Sequence, residues 1–110
     1  MLRTTTALVF CILLFACSAV KLATPTQTDV DRAQADFPGN TLADLNQGKS
    51  LYEKKCTVCH GLKDPKKYSR EKLDKIVPGM SKKANKKQEG AVNASQQELI
   101  LKYMVTMSKS

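Results

Sequence analysis

This sequence predicts an all-α fold of about four short helices. Three observations carry the prediction. Apolar side chains recur at intervals of three and four in four separate stretches, residues suited to capping stand where those stretches begin, and no segment alternates apolar and polar residues as a half-buried strand would. At 110 residues the chain has the length of one domain. A hydrophobic fraction of 42% separates it from disordered sequences, while 5% aromatics and no Trp imply a small, mostly aliphatic core. Chains of this size bury a low fraction of their surface and often need a staple or a cofactor. A large multi-domain enzyme is excluded. So is a polytopic membrane protein, because no second apolar run reaches membrane-spanning length.

The first sixteen residues read as an address. Arg3 supplies positive charge, and Ala7 to Ala16 is an apolar run too short to span a bilayer but of the length of a signal core. Leu14-Phe15-Ala16-Cys17 resembles a bacterial lipobox, which implies a lipid on Cys17 and cleavage before it. The alternative is an ordinary signal cut after Ala19, which would discard Cys17. Cys11 is removed either way, so the mature chain keeps Cys56 and Cys59. Stable anchoring takes more than one acyl chain. Residues 17–27 then form the lipidated Cys and a polar, Thr-rich tether, whose ten residues from Ser18 reach at most about 35 Å. Residues 28–110 form the folded domain.

The helices follow in order. A first begins near Asp29, where Thr28 and Asp31 have capping-box spacing; Val30, Ala33 and Phe37 share one face, and Pro38-Gly39 closes it. A second runs from Leu42 to Lys55 behind a Thr41 cap, with Asp44 in its first turn and Leu42, Leu45, Leu51 and Tyr52 on or near one stripe. Gly48 lies on that stripe, where a glycine costs about 1 kcal/mol relative to Ala, so another backbone is expected close by. The third starts at Ser69, carries Leu73, Ile76 and Val77 inward, and is expected to end at Pro78-Gly79. Ser81 to Asn93 reads as polar loop. The fourth is expected behind a Ser95/Glu98 box, with Leu99, Ile100, Tyr103, Met104 and Met107 recurring at three- and four-residue spacing.

The chemistry is concentrated at Cys56-Thr57-Val58-Cys59-His60, the C-x-x-C-H signature of covalent haem c attachment. Two thiols three residues apart on a helical turn project to one side and can each add to a haem vinyl group, and the adjacent imidazole of His60 then reaches the iron. A thioredoxin-type C-x-x-C needs a βαβ context that the chain lacks. A zinc site needs two further ligands, yet His60 is the only His. A disulfide across three residues closes too short a loop to stabilise much.

With one His, a bis-His haem within the chain is excluded, and the remaining soft donor is Met, which raises the reduction potential when paired with His. Met80, just past the expected helix end, is read as the sixth ligand. Its competing role is core, since Leu73, Ile76, Val77 and Met80 fit one helical stripe. His60 with an open site, or with a Lys, is the other coordination that the sequence permits. Met104 and Met107, inside the last helix, read as core.

These residues resemble the class I c-type cytochromes over about Thr41 to Met107. The matching pieces are Gly48 and Tyr52, CTVCH itself, a Met past a short helix, and a closing helix with Leu99 and Tyr103. The likeness is sharper to small haem c lipoproteins with a GxxLYxxxCxxCH…P…Y[ST] run, here Gly48 through Ser69. The resemblance implies a small class I cytochrome c-like fold around one haem, with the first and last helices of the family crossing near Gly48, and Pro65 offering its carbonyl to the haem imidazole. The chain departs from the class in the 19 residues between His60 and Met80, which is short, and in lacking a Trp in the last helix.

Charge is uneven: Lys21–Gly48 carries net −2 and Lys49–Ser110 net +9. Lys82, Lys83, Lys86 and Lys87 cluster just after Met80, and in the resembling family a basic ring near the haem edge steers acidic redox partners. The same lysines could simply keep the protein soluble, or rest on anionic lipid. Export and the lack of a recognition motif argue against nucleic acid. The sequence thus points to a membrane-tethered, extracytoplasmic carrier of single electrons, periplasmic or at the cell surface, with one haem c and its iron held by Cys56, Cys59, His60 and Met80; it turns over no substrate. The rival is a haem enzyme or sensor with an open distal site, peroxidase-like or gas-binding. A third reading is a structural lipoprotein with a redox-inert disulfide.

Overall fold

The computed structural model describes residues 21–56 and 62–108, and every regular element among them is helical: α1 (Gln27–Ala33), α2 (Leu42–Lys55), a 3-10 turn (Pro65–Lys67), α3 (Arg70–Lys87) and α4 (Ala94–Thr106). The predicted all-α architecture is therefore present. No described helix is long and apolar enough to cross a membrane. The export signal and Cys17 lie outside the described residues.

α1 starts earlier than its sequence suggests. Thr26, not Thr28, is the cap: its hydroxyl accepts the Asp29 amide, and the Asp29 carboxylate accepts the Thr26 amide at 2.8 Å. Asp29 also pairs with Arg32 at 2.6 Å, one turn further on. Val30 and Ala33 face inward as expected. The chain then turns through Phe37 and closes at Gly39, whose φ of +79° is one that side chains disfavour.

α2 has the bounds and the Thr41/Asp44 capping box that the sequence predicts. Its inward stripe is Leu45, Gly48 and Tyr52. At Gly48 α4 comes close: a Cβ built there would lie 2.9 Å from both the Leu99 carbonyl carbon and Tyr103 Cβ, with the Leu99 oxygen nearer still. Only a residue without a side chain lets the two backbones meet.

α3 corrects two expectations. Ser69 caps it as predicted, but the helix continues through Pro78 and Gly79 to Lys87, so most of the stretch read as loop is helical. A proline inside a helix removes one backbone bond and costs about 3 kcal/mol. Here Pro78 and Gly79 are both exposed, while Leu73, Val77, Ser81 and Ala84 form a buried stripe running straight past them. Packing of that stripe on the core outweighs the local penalty. The Ser81 hydroxyl bonds the Val77 carbonyl at 3.0 Å, within the turn that spans Pro78.

α4 is capped by Asn93 and Gln96, two residues ahead of the expected Ser95/Glu98 box. The shift follows from the preceding turn, where the Asn85 side chain binds both the amide and the carbonyl of Val92 at 2.8 and 2.9 Å and so delivers Asn93 in cap position. α4 packs against each of the other three helices. Its Ile100, Tyr103 and Met104 join Tyr52, Cys56, Leu73 and Val77 in the central cluster.

The described part of the expected tether is not free. Leu22 belongs to the central cluster, Pro25 is buried, and the Tyr103 hydroxyl donates to the Ala23 carbonyl at 2.9 Å.

Candidate haem site

α2 brings the first Cys of the C-x-x-C-H run to the core. Its stripe ends at Tyr52, and one turn later Cys56, the helix cap, is buried at 8% exposure within the central cluster. Cys59 and His60 lie outside the described residues. Tyr52 holds the chain beyond them at Lys63. The Tyr52 hydroxyl donates to the Lys63 carbonyl and accepts the Lys63 amide, both at 2.8 Å. Burial pushes the Tyr52 phenol up to about 12, against the opposing pull of the Lys63 bond, so the group stays protonated at neutral pH. Tyr103, fully buried beside it, is raised further by burial and by nearby Glu53 and Asp64.

Beyond Lys63 the Asp64 carboxylate accepts the Lys66 amide and starts the 3-10 turn, placing Pro65 in a buried position. The Pro65 carbonyl accepts the Tyr68 amide at 3.1 Å. A carbonyl oxygen has a second lone pair, so this bond leaves it able to accept another donor.

Met80 is not past a helix end. It lies inside α3, half-buried, and packs against the central cluster that contains Cys56. Met104 is fully buried in that cluster, the core role read for it, and Met107 is half-buried at the end of α4. Lys82, Lys83, Lys86 and Lys87 are exposed on α3 rather than on a loop.

The residues present suit a haem. Leu51, Leu62, Tyr68 and Met80 are only partly buried and pack against the central cluster to which Cys56 belongs. A large flat apolar body tied to Cys56 would extend that cluster. The donor chemistry agrees: thiols for vinyl attachment, one imidazole in sequence, and a thioether on the same cluster.

What sequence reasoning missed is the hold of Tyr52 on Lys63 and that of Asn85 on Val92. Both join a side chain to a distant backbone group, and no periodicity or capping pattern announces such a bond.

Helices, motif and apolar rim together define a small protein built to carry a covalently attached haem. A cytochrome c family model matches residues 45–108, over half of the chain, and the chain belongs to that family. Proteins of this family bind covalent haem c with its iron and transfer electrons to redox partners. No curated protein and no solved structure matches the chain.

Proposed function

We propose that the protein is a single-electron carrier with one haem c, attached through Cys56 and Cys59, ligated by His60 and Met80, and tethered by lipid on Cys17 to the extracytoplasmic side of a membrane. The observation that carries the ligand reading is the shared cluster: Cys56 at the end of α2 and Met80 on α3 pack on the same apolar core. When bound, haem c supplies a one-electron ferric/ferrous couple. The chain's own residues do the rest. Thioethers from Cys56 and Cys59 prevent loss of the group. His60 and Met80 would hold the iron, and a thioether ligand favours the reduced state. Leu51, Leu62, Tyr68 and the central cluster keep water away. The exposed lysines of α3 offer a face to acidic redox partners, an attraction that fades with salt.

A second reading, a haem enzyme or sensor with an open distal site, draws on the helical setting of Met80, which ties that side chain to the path of α3. The visible spectrum separates the two. A long-wavelength sulfur–iron band in the oxidised protein supports His/Met ligation, and Met80→Ala should abolish it and give high-spin iron that binds CO. An unchanged spectrum in that variant refutes the Met80 assignment. Mass spectrometry of the mature protein tests the anchor, since acyl chains on Cys17 and one haem each add a defined mass.

A further inference from the structure

Tyr52 grips both flanks of the haem-attaching segment. Its backbone carbonyl accepts the Cys56 amide, the bond that closes α2. Its side-chain hydroxyl bonds the amide and the carbonyl of Lys63, three residues past His60. Residues 56 and 63 are thus fixed to one residue that is itself fully buried, on the inward stripe of α2. Two bonds to the same backbone unit set its orientation as well as its distance, which one bond would not. Because both involve main-chain groups, they hold whatever side chain stands at position 63. Asp64 and Pro65 then carry the fixed register on into the 3-10 turn.

We propose that Tyr52 is a positioning residue for the haem's imidazole ligand, acting by holding Cys56 and Lys63, which flank that ligand in sequence, to one buried side chain and its backbone. The phenylalanine variant isolates this role. Phe fills the same buried space and leaves the Cys56 amide bond in place, so only the two bonds to Lys63 are lost. Lys63 is exposed, and water can solvate its freed backbone groups. The inference rests on His60 as the haem ligand. A wild-type spectrum without imidazole ligation would overturn that assignment, whereas the comparison of wild type with variant tests the clasp alone.

The experiment uses the holoprotein. In Tyr52→Phe, the Lys63 amide in the ferrous protein should exchange with solvent about 5- to 30-fold faster, the loss of one to two ordinary hydrogen bonds. The ferric protein should show shifted haem-methyl resonances and altered g-values, the signature of a reoriented imidazole. Tyr103→Phe, which removes the bond to Ala23 from a neighbouring buried phenol, should leave both readouts unchanged. Unaltered Lys63 exchange, or faster exchange with an unaltered ferric signature, overturns the proposal. So does an equal ferric change in Tyr103→Phe, which would mean general loosening of the core. Should Tyr52→Phe fail to accumulate holoprotein, the wild type decides: the Lys63 amide must be protected, and exchange at the free-chain rate overturns the clasp.

Discussion

Substituting Gly48 by Ala tests the central packing contact of the fold. The new methyl would stand 2.9 Å from the Leu99 carbonyl carbon and from Tyr103 Cβ. Carbon atoms rest at about 3.5–4.0 Å, so α2 and α4 must part by at least about 0.6 Å. The Leu99 atoms in the way are backbone and cannot rotate aside. A radial gap of about 0.5–1 Å already forfeits a quarter to a half of each dispersion contact, and this seam carries Leu45, Tyr52, Ile100, Tyr103 and Met104, all at 1% exposure or less. Overpacking of this kind costs about 1–3 kcal/mol, and the seam's lost contacts add to it. The better helix propensity of Ala returns about 1 kcal/mol. The expected net loss is about 2–3 kcal/mol, or roughly 10–20 °C in Tm for a domain of this size. Gly79→Ala supplies the control: it lies in helix α3, and a Cβ there meets nothing within 4 Å, so it should gain about 1 kcal/mol. Thermal unfolding of the holoproteins, followed by far-ultraviolet circular dichroism, reads both. A Gly48→Ala protein as stable as the parent would refute the close approach of the two helices.

Alkaline pH should destabilise the protein through its buried phenols. Tyr52 is raised from 10 to about 12, so between those values the unfolded chain releases a proton that the folded chain keeps. The contribution is intact below pH 10 and is lost as pH rises through 12, amounting to about 3 kcal/mol at most, and Tyr103 acts in the same direction. Urea midpoints measured from pH 9 to 12 should fall, and fall less steeply in Tyr52→Phe; equal slopes would contradict the assignment. Asn85→Ala should cost about 2 kcal/mol, because it strips both partners from the backbone of buried Val92. Denaturant titration showing a loss under about 0.5 kcal/mol would mean that the turn holds itself.

The legible part of the fold was what depends on neighbours in sequence. For α2, the Thr41 cap, the Leu45–Tyr52 stripe and the cost of Gly48 all pointed one way, and bounds and packing both followed. Pro78 misled because a proline's local penalty is visible in sequence, while the compensating burial of Ser81 and Ala84 is tertiary. The stripe through Leu73, Val77 and Met80 was the sign that the helix goes on. The caps of α1 and α4 each slid by two residues because two spacings of suitable side chains overlap there, and at α4 the Asn85–Val92 turn sets the choice. At the site, the C-x-x-C-H signature is what pointed to haem attachment, and its first Cys does close α2. The closure of the far flank by Tyr52 depends on where Lys63 arrives in space, which spacing does not reveal.

The seating of Leu22 and Ala23 against α4 has a mechanical consequence. Tension entering from upstream of Lys21 loads the Leu22 contact and the Tyr103 bond before any of it travels through α1 and α2 toward Cys56. Under the proposed lipid tether, the domain would absorb a tug at its base on the last helix, and the segment that begins at Cys56 would be shielded from the motion of the anchor.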